Sequence, residues 1–432
     1  MDTIIPIKHL DSAESSILKK APKINYRQLA CRIIGEIPAE KILDDDELAL
    51  YNEEIGLKFS PEVINANKLV VVVKATRLCN LRCTYCHSWA EGKGNTLTFF
   101  NLMRSIHRFL SIPNIKRFEF VWHGGEVTLL NVNYFKKLIW LQEKFKKPDQ
   151  VITNSVQTNA VNIPEDWLVF LKGIGMGVGI SVDGIPEIHD SRRLDYRGRP
   201  TSHKVAAGMK KLRSYGIPYG ALVVVDRDVY ESNIEKMLSY FYEIGLTDIE
   251  FLNIVPDNRC QPGDDPGGSY ITYHNYINFL SKVFRVWWDG YKGKINIRLF
   301  DGFIDSIKSS QKKISDCYWA GNCSQEIITL EPNGTVSACD KYVGAEGNNY
   351  GSIIDNDLGN LLAKSGTNKN HLIEERESYE KMHQCKWFHL CNGGCPHDRV
   401  TNRKHNPNYD GSCCGTGGLL ETIKQTITSI YQ

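Results

Sequence analysis

The sequence predicts an α/β fold, a series of parallel strand–helix units followed by a smaller cysteine-rich domain. Three observations carry that reading. Between residues 67 and 300, short β-rich runs alternate with longer amphipathic stretches, the pattern of parallel βα units. Beyond residue 310 the character changes to clustered cysteines, glycines and short strands. A chain of 432 residues accommodates one large domain and one or two smaller ones, at about 100–200 residues each.

Residues 1–66 form an N-terminal extension, in which Asp44-Asp45-Asp46-Glu47 reads as the solvated start of a helix over 47–55. The strands then fall at 69–74, 117–122, 151–157, 176–182, 219–225 and 248–254. Helices are expected between them at 99–110, 132–146, 165–171, 203–215 and 232–244. Six units are too few to close an eight-fold barrel. The Pro-, Gly- and Asp-rich segment 256–268 reads as a surface loop or lid. The glycines of Gly173–Gly179 lead into a strand and lack the strand–turn–helix context of a dinucleotide site, so that reading is rejected. Residues 67–309 are assigned to the first domain, 310–415 to the second and 416–432 to a C-terminal helix, apolar at helical spacing over 419–431, that packs back on the body.

Fifty-two basic and 50 acidic residues give a net charge of +2, which creates no field favouring nucleic acid or an anionic membrane. The first 20 residues show no signal-peptide pattern and the longest aliphatic run is 69–73, so a cytoplasmic location without membrane attachment is expected. Thirteen cysteines in such a chain read better as metal ligands than as disulfides.

The densest of these signals is Cys79-x3-Cys83-x2-Cys86, placed directly after the first strand. Closed structural zinc sites and closed iron–sulfur clusters take four protein ligands. Three thiols therefore invite an exogenous ligand on the last iron. The segment resembles the radical S-adenosylmethionine enzymes, a family with a partial (β/α)6 barrel and a cluster loop at the C-terminal face of the first strand. The resemblance implies S-adenosylmethionine as that ligand and a 5′-deoxyadenosyl radical as its product. It places Tyr85 near adenine, Gly124, Gly125 and Glu126 at the methionyl amine, and Gln157, Asn159, Ser181 and Asp183 along the ribose and carboxylate. Arg193 is assigned to the carboxylate, with Arg192 the alternative. Read alone, Gly-Gly-Glu is a weak signal that more often marks an ordinary loop, and the other polar residues also suit loop caps.

The second cysteine field runs Cys317, Cys323, Cys339, Cys385, Cys391, Cys395, Cys413 and Cys414, too extended for one metal. It resembles the SPASM auxiliary-cluster extension of radical enzymes that modify peptides and proteins. The resemblance implies three 4Fe-4S clusters in all, with Cys317, Cys323, Cys339 and Cys395 on one auxiliary cluster. It leaves Cys385, Cys391 and one or both of Cys413 and Cys414 for the other, because Met382 stands where the family has a cysteine. His383 is an alternative ligand, and zinc held with His383, His389 and His397 is the competing reading. Asp340, next to Cys339, corresponds to a catalytic base of sulfatase-maturing relatives. Cys31 and Cys260 read as ordinary thiols.

Together these motifs imply a maturase that oxidises a ribosomally made precursor peptide, fed by a flavodoxin- or ferredoxin-type electron donor. His87-Ser88-Trp89 resembles the cross-linking, cyclophane-forming branch, which makes an intrapeptide cross-link the first expectation. Formylglycine formation on a sulfatase is the alternative, and a non-catalytic electron carrier or redox sensor is the alternative of another class. Residues 1–66 are a candidate for leader-peptide capture by strand addition.

Overall fold

The computed structural model describes residues 26–57, 60–261, 264, 266–312, 314 and 317–429. Six parallel strands lie side by side in chain order: β1 Lys68–Thr76, β2 Arg117–Gly124, β3 Val151–Thr158, β4 Gly177–Ser181, β5 Gly220–Val225 and β6 Ile249–Asn253. All six stand where the hydrophobic pattern places them. In β1 the run Leu69–Val73 supplies Leu69, Val71 and Val73 to the core, all fully buried. In β2 the alternation sends Phe118, Phe120 and Trp122 inward while Arg117 and Glu119 face out.

The intervening helices follow the apolar 3–4 spacing. Phe99–Ser111 starts at Thr98, whose hydroxyl accepts the Asn101 N–H, and buries Leu102, Met103, Ile106, Phe109 and Leu110. Glu165–Ile174 ends at Gly175 in the left-handed conformation, φ +61°, so the first part of the glycine run is a helix stop. Two further helices, Tyr273–Val286 and Arg298–Ser309, follow β6 and pack against the C-terminal helix Gly417–Thr428.

Two features depart from the expected organisation. The cysteine-rich region does not stand apart: β7, Ile327–Leu330, pairs in parallel with β1 on the side away from β2, and β8 Thr335–Ser337 and β9 Gly351–Ser352 continue the same sheet. Sequence periodicity reports a strand but not its neighbour. The described part of the N-terminal extension forms three helices, Tyr26–Gly35, Ala39–Ile42 and Asp45–Gly56, followed by irregular chain over 60–66, with Tyr26–Gly35 against Val132–Phe145 and Glu165–Ile174; among its described residues there is no strand for a peptide to extend. Residues 1–25 and 58–59 of that expectation lie outside the described residues.

Helix Asp45–Gly56 begins with a reciprocal capping box between Asp44 and Glu47, so the acidic run is a helix start. Its far end is pinned by buried Glu54, which accepts from Arg104 Nε at 2.9 Å and sits 2.7 Å from His107 Nδ1. Burial alone would raise this carboxyl, but the His107 hydrogen bond and the Arg104 charge hold it below its usual value. The depressed folded pKa makes this a stabilising contribution at pH above the unfolded value, lost as pH falls through the folded one. Glu54→Gln should lower stability by about 2 kcal/mol at pH 7, a deficit that denaturant titrations should find shrinking as the pH falls below 4.

Candidate active site

The loops after β1 and β2 build the centre of the site together. Gly125 N–H donates to Thr76 O at 2.6 Å and Glu126 N–H to Leu78 O at 2.8 Å, which docks the Gly-Gly turn on the loop that carries Cys79. A Cβ on Gly125 would stand 2.0 Å from Leu78 O, and one on Gly124, φ +125°, would stand 2.3 Å from Thr76 O. No other residue permits that approach. The cluster loop is tied a second time, since Leu81–Cys83 forms an antiparallel ribbon with Arg193–Asp195.

Cys79, Cys83 and Cys86 line a cavity of about 270 Å³ at the C-terminal ends of the strands, shared with Tyr85, Gly124, Gly125, Gln157, Asn159, Ser181, Arg193 and Asp340. Sulfur acceptors are already oriented: Leu81 N–H points at Cys79 Sγ and Ser88 N–H at Cys86 Sγ, each at 3.3 Å. Burial pushes the Cys79 thiol up to about 12. Such thiols need a strongly electropositive partner to become ligands, and the set of three fits an iron cluster with one iron open to the cavity.

Tyr85 is fixed by its hydroxyl, which donates to Asp183 Oδ2 at 2.5 Å and accepts from Arg193 Nη1 at 2.6 Å. Burial would raise the Asp183 carboxyl, but Arg193 and Arg192 hold it down. Asp183 faces away from the cavity, receiving Val224 N–H on Oδ1. Arg192 is spent on a buried ion pair with Asp226, which leaves Arg193 as the arginine at the cavity wall. Gln157 donates to Ser181 Oγ at 2.9 Å, and its Oε1 occupies the space a Cβ on Gly179 would need, at 2.1 Å. The end of the glycine run thus makes room for a wall residue.

Glu126 is placed differently from the sequence expectation of a ligand to an amine. It is 1% exposed, its Oε1 accepts from Thr128 N–H, Thr128 Oγ1 and Thr158 Oγ1, and its Oε2 accepts from Asn159 N–H at 2.7 Å. It ties the ends of β2 and β3 together, and the glycine backbone faces the cavity instead. The motif was legible; the direction of its carboxylate was not.

Asp340 lines the same cavity as the three thiols. Its Oδ1 is 2.5 Å from Nζ of Lys74, a side chain with no exposed surface, and its Oδ2 is 3.6 Å from His123 Nδ1. Lys74 also contacts His123 Nδ1 at 2.9 Å and donates to Ser88 Oγ at 3.3 Å. Burial would raise Asp340, but Lys74 and then His123 hold it at about 2; burial and Lys74 push His123 down to about 4. Around neutrality the site presents a carboxylate and a neutral imidazole, with Lys74 Nζ in contact with both. Lys74 was missed in the sequence, although a lysine closing a run of valines in a strand signals a charge in need of a partner.

The second cysteine field gathers as two groups. Cys323 is pushed up by burial and then by Cys395, Cys339 and Cys317, which places these four within each other's field. Cys414 Sγ lies 3.7 Å from Cys391 Sγ, Cys413 precedes Cys414 directly, and the charges of Cys385 and Cys413 reach Cys391. Three successive left-handed residues between the groups, Asn392, Gly393 and Gly394 at φ +46°, +76° and +73°, send Cys391 to one and Cys395 to the other. A Cβ on Gly394 would stand 2.9 Å from Cys414 Cβ. His383 and His389 are exposed, with His383 Nδ1 at the Tyr379 and Glu380 carbonyls, and His397 is buried beside Asn258. Among the described residues no three His, Cys, Asp or Glu are gathered as a single metal ion requires. Cys31 packs half-buried on the N-terminal helix.

The radical SAM superfamily model matches residues 73–241. The cysteine-type anaerobic sulfatase-maturating enzyme of Clostridium perfringens (strain ATCC 13124) is 32% identical over 339 residues, 76% of this chain and 88% of that protein. The serine-type enzyme of Bacteroides thetaiotaomicron is 27% identical over 358 residues, 78% and 84% of the two chains. Among solved structures, native anSMEcpe with bound AdoMet superposes with a TM-score of 0.70 at 27% identity, over 84% of this chain and 98% of that one. Streptococcus suis SuiB bound to precursor peptide SuiA superposes at 0.55 and 15% identity, over 85% and 79%, a likeness of fold alone. No helix among the described residues is long and apolar enough to cross a membrane.

Replacing Glu126 by Ala strands four donors at the base of the cavity. The loss should be about 3–5 kcal/mol, read from denaturant midpoints of the metal-free chain.

Proposed function

The chain belongs to the radical SAM superfamily, together with the anaerobic sulfatase-maturating enzymes, and from that premise we propose that it oxidises a cysteine or serine side chain of a protein substrate to formylglycine. The observation that carries this reading is Asp340, held by Lys74 and His123 at the wall of the cavity that also exposes the three thiols. The names of the relatives support it, as does a neighbour that holds AdoMet with the Cp18Cys peptide.

Cys79, Cys83 and Cys86 would hold a 4Fe-4S cluster, with S-adenosylmethionine against Gly124, Gly125, Gln157, Asn159, Ser181 and Arg193. When bound, that pair supplies the one-electron chemistry that removes a hydrogen atom from an unactivated carbon. Asp340 takes the proton of the substrate hydroxyl or thiol at its exposed oxygen, while Lys74, unable to leave its buried position, keeps the carboxylate ionised and aimed. The apolar wall of Leu222, Val224 and Leu252 limits water beside the reacting carbon. Auxiliary iron–sulfur clusters in the two cysteine groups would supply an acceptor for the electron that oxidation releases, and a flavodoxin- or ferredoxin-type protein would supply the first one.

The cross-link expected from His87-Ser88-Trp89 gives way to this reading. Trp89 lies under the Arg82 guanidinium at 4.2 Å, and with His87 and Ser88 it lines the cavity, a placement that does not favour a cross-link over formylglycine formation. The neighbour with a precursor peptide shares only the fold.

Anaerobic incubation of the reconstituted protein with S-adenosylmethionine, a reductant and sulfatase-derived peptides tests the proposal. Mass spectrometry should find two hydrogens lost from a target serine, or a target cysteine converted to the same aldehyde with sulfur replaced by oxygen. Cofactor cleavage with unchanged sulfatase peptides, alongside a cross-linked precursor peptide, would overturn it. Cys83→Ala should abolish 5′-deoxyadenosine formation. Asp340→Asn should retain cofactor cleavage while peptide oxidation falls by about 10²–10⁴-fold.

A further inference from the structure

Lys341 lines the cavity and reaches one of the auxiliary cysteine groups, following Cys339 by two residues and placing its Nζ 3.8 Å from Cys395 Sγ. The side chain is held there from two further directions. Nζ is 2.5 Å from Asp398 Oδ1, and it lies over the Tyr318 ring at 4.5 Å. The backbone beneath is clamped by Asn258, whose amide donates to Lys341 O and Val343 O at 2.8 Å each, and Asn258 in turn meets His397 Nε2 at 3.0 Å. Asp398 is itself only 5% exposed at its side chain. A largely covered cation set against a buried thiol is costly unless paired, and a single surface ion pair would not need this much support.

Hydrogen bonds to cluster sulfurs and nearby positive charge stabilise the reduced, more negative state of an iron–sulfur cluster. We propose that Lys341 is a positioning residue for redox, setting a raised reduction potential on an iron–sulfur cluster held by Cys317, Cys323, Cys339 and Cys395. This rests on the auxiliary-cluster reading above and adds to it the residue that makes this cluster the better electron acceptor. Asp398 limits the effect by partial neutralisation while keeping the ammonium on the sulfur. Asp340, Lys341 and Cys339 are consecutive or nearly so, which puts the proton acceptor and the cation at the cluster on one short turn, 340–342.

The full chain carrying Cys79→Ala, Cys83→Ala and Cys86→Ala, reconstituted with iron and sulfide, isolates the auxiliary clusters for an EPR-monitored redox titration. In that background Lys341→Met should shift one midpoint negative by about tenfold in the one-electron equilibrium, about 59 mV, with Lys341→Arg restoring most of it. Asp398→Asn, which leaves the cation unneutralised, should shift the same midpoint positive, and this variant serves if Lys341→Met does not fold. Iron content separates the two ways of failing. A chain without iron or acid-labile sulfide after reconstitution overturns the auxiliary-cluster reading and this proposal with it. Full iron content with midpoints unmoved in either direction overturns the role of Lys341 alone.

Discussion

The position of β1 at the middle of one continuous sheet constrains everything at the site. One edge of this strand carries β2 and the rest of the parallel series, and the other carries β7 from the cysteine-rich region. Its C-terminal end therefore delivers the three-cysteine loop to a place already bordered by both halves of the chain. Side chains reinforce the join. Arg77, two residues before Cys79, grips Glu331 just beyond β7 with Nε at 3.0 Å and Nη2 at 2.6 Å, and Lys74 reaches across to Asp340. Asp340 belongs to the cavity because of this pairing, since nothing in its own neighbourhood of sequence points it toward the strands of the first domain.

Polar groups around the cavity divide their work in a way that burial explains. Glu126 and Asp183, both almost without exposed surface, spend their oxygens on backbone and hydroxyl donors and serve as internal ties. Gln157, Asn159, Arg193 and Asp340 line the cavity instead. The buried ties make the wall stiff, and a stiff wall is what allows a reactive cofactor to be positioned against one substrate carbon without reorganisation. Burying a carboxylate for this purpose is tolerable only because each is met by several donors or by arginine.

Local pattern made much of this legible. The six strands, five of the helices between them and the C-terminal helix follow from apolar spacing; spacing also marks the first thiol group, while the division of the later cysteines comes from the family resemblance. What sequence could not provide is long-range: the pairing of β7 with β1, the ribbon between Leu81–Cys83 and Arg193–Asp195, and the orientation of Glu126. Such facts depend on which surfaces meet, and a one-dimensional period carries no information on that. The glycines at 177 and 179 show an intermediate case. Their presence was visible, but their reason is the closeness of Ser155 and Gln157 on the neighbouring strand.

The ribbon that ties Cys83 to Arg193 has one further consequence. Zinc fingers and similar small modules draw their folding energy from the metal, whereas here the loop's shape is fixed by strand pairing, by N–H groups donating to Cys79 and Cys86, and by the docked glycine turn. A substitution at Arg193–Asp195 or in the glycine turn therefore reaches the spacing of the three thiols without touching a cysteine.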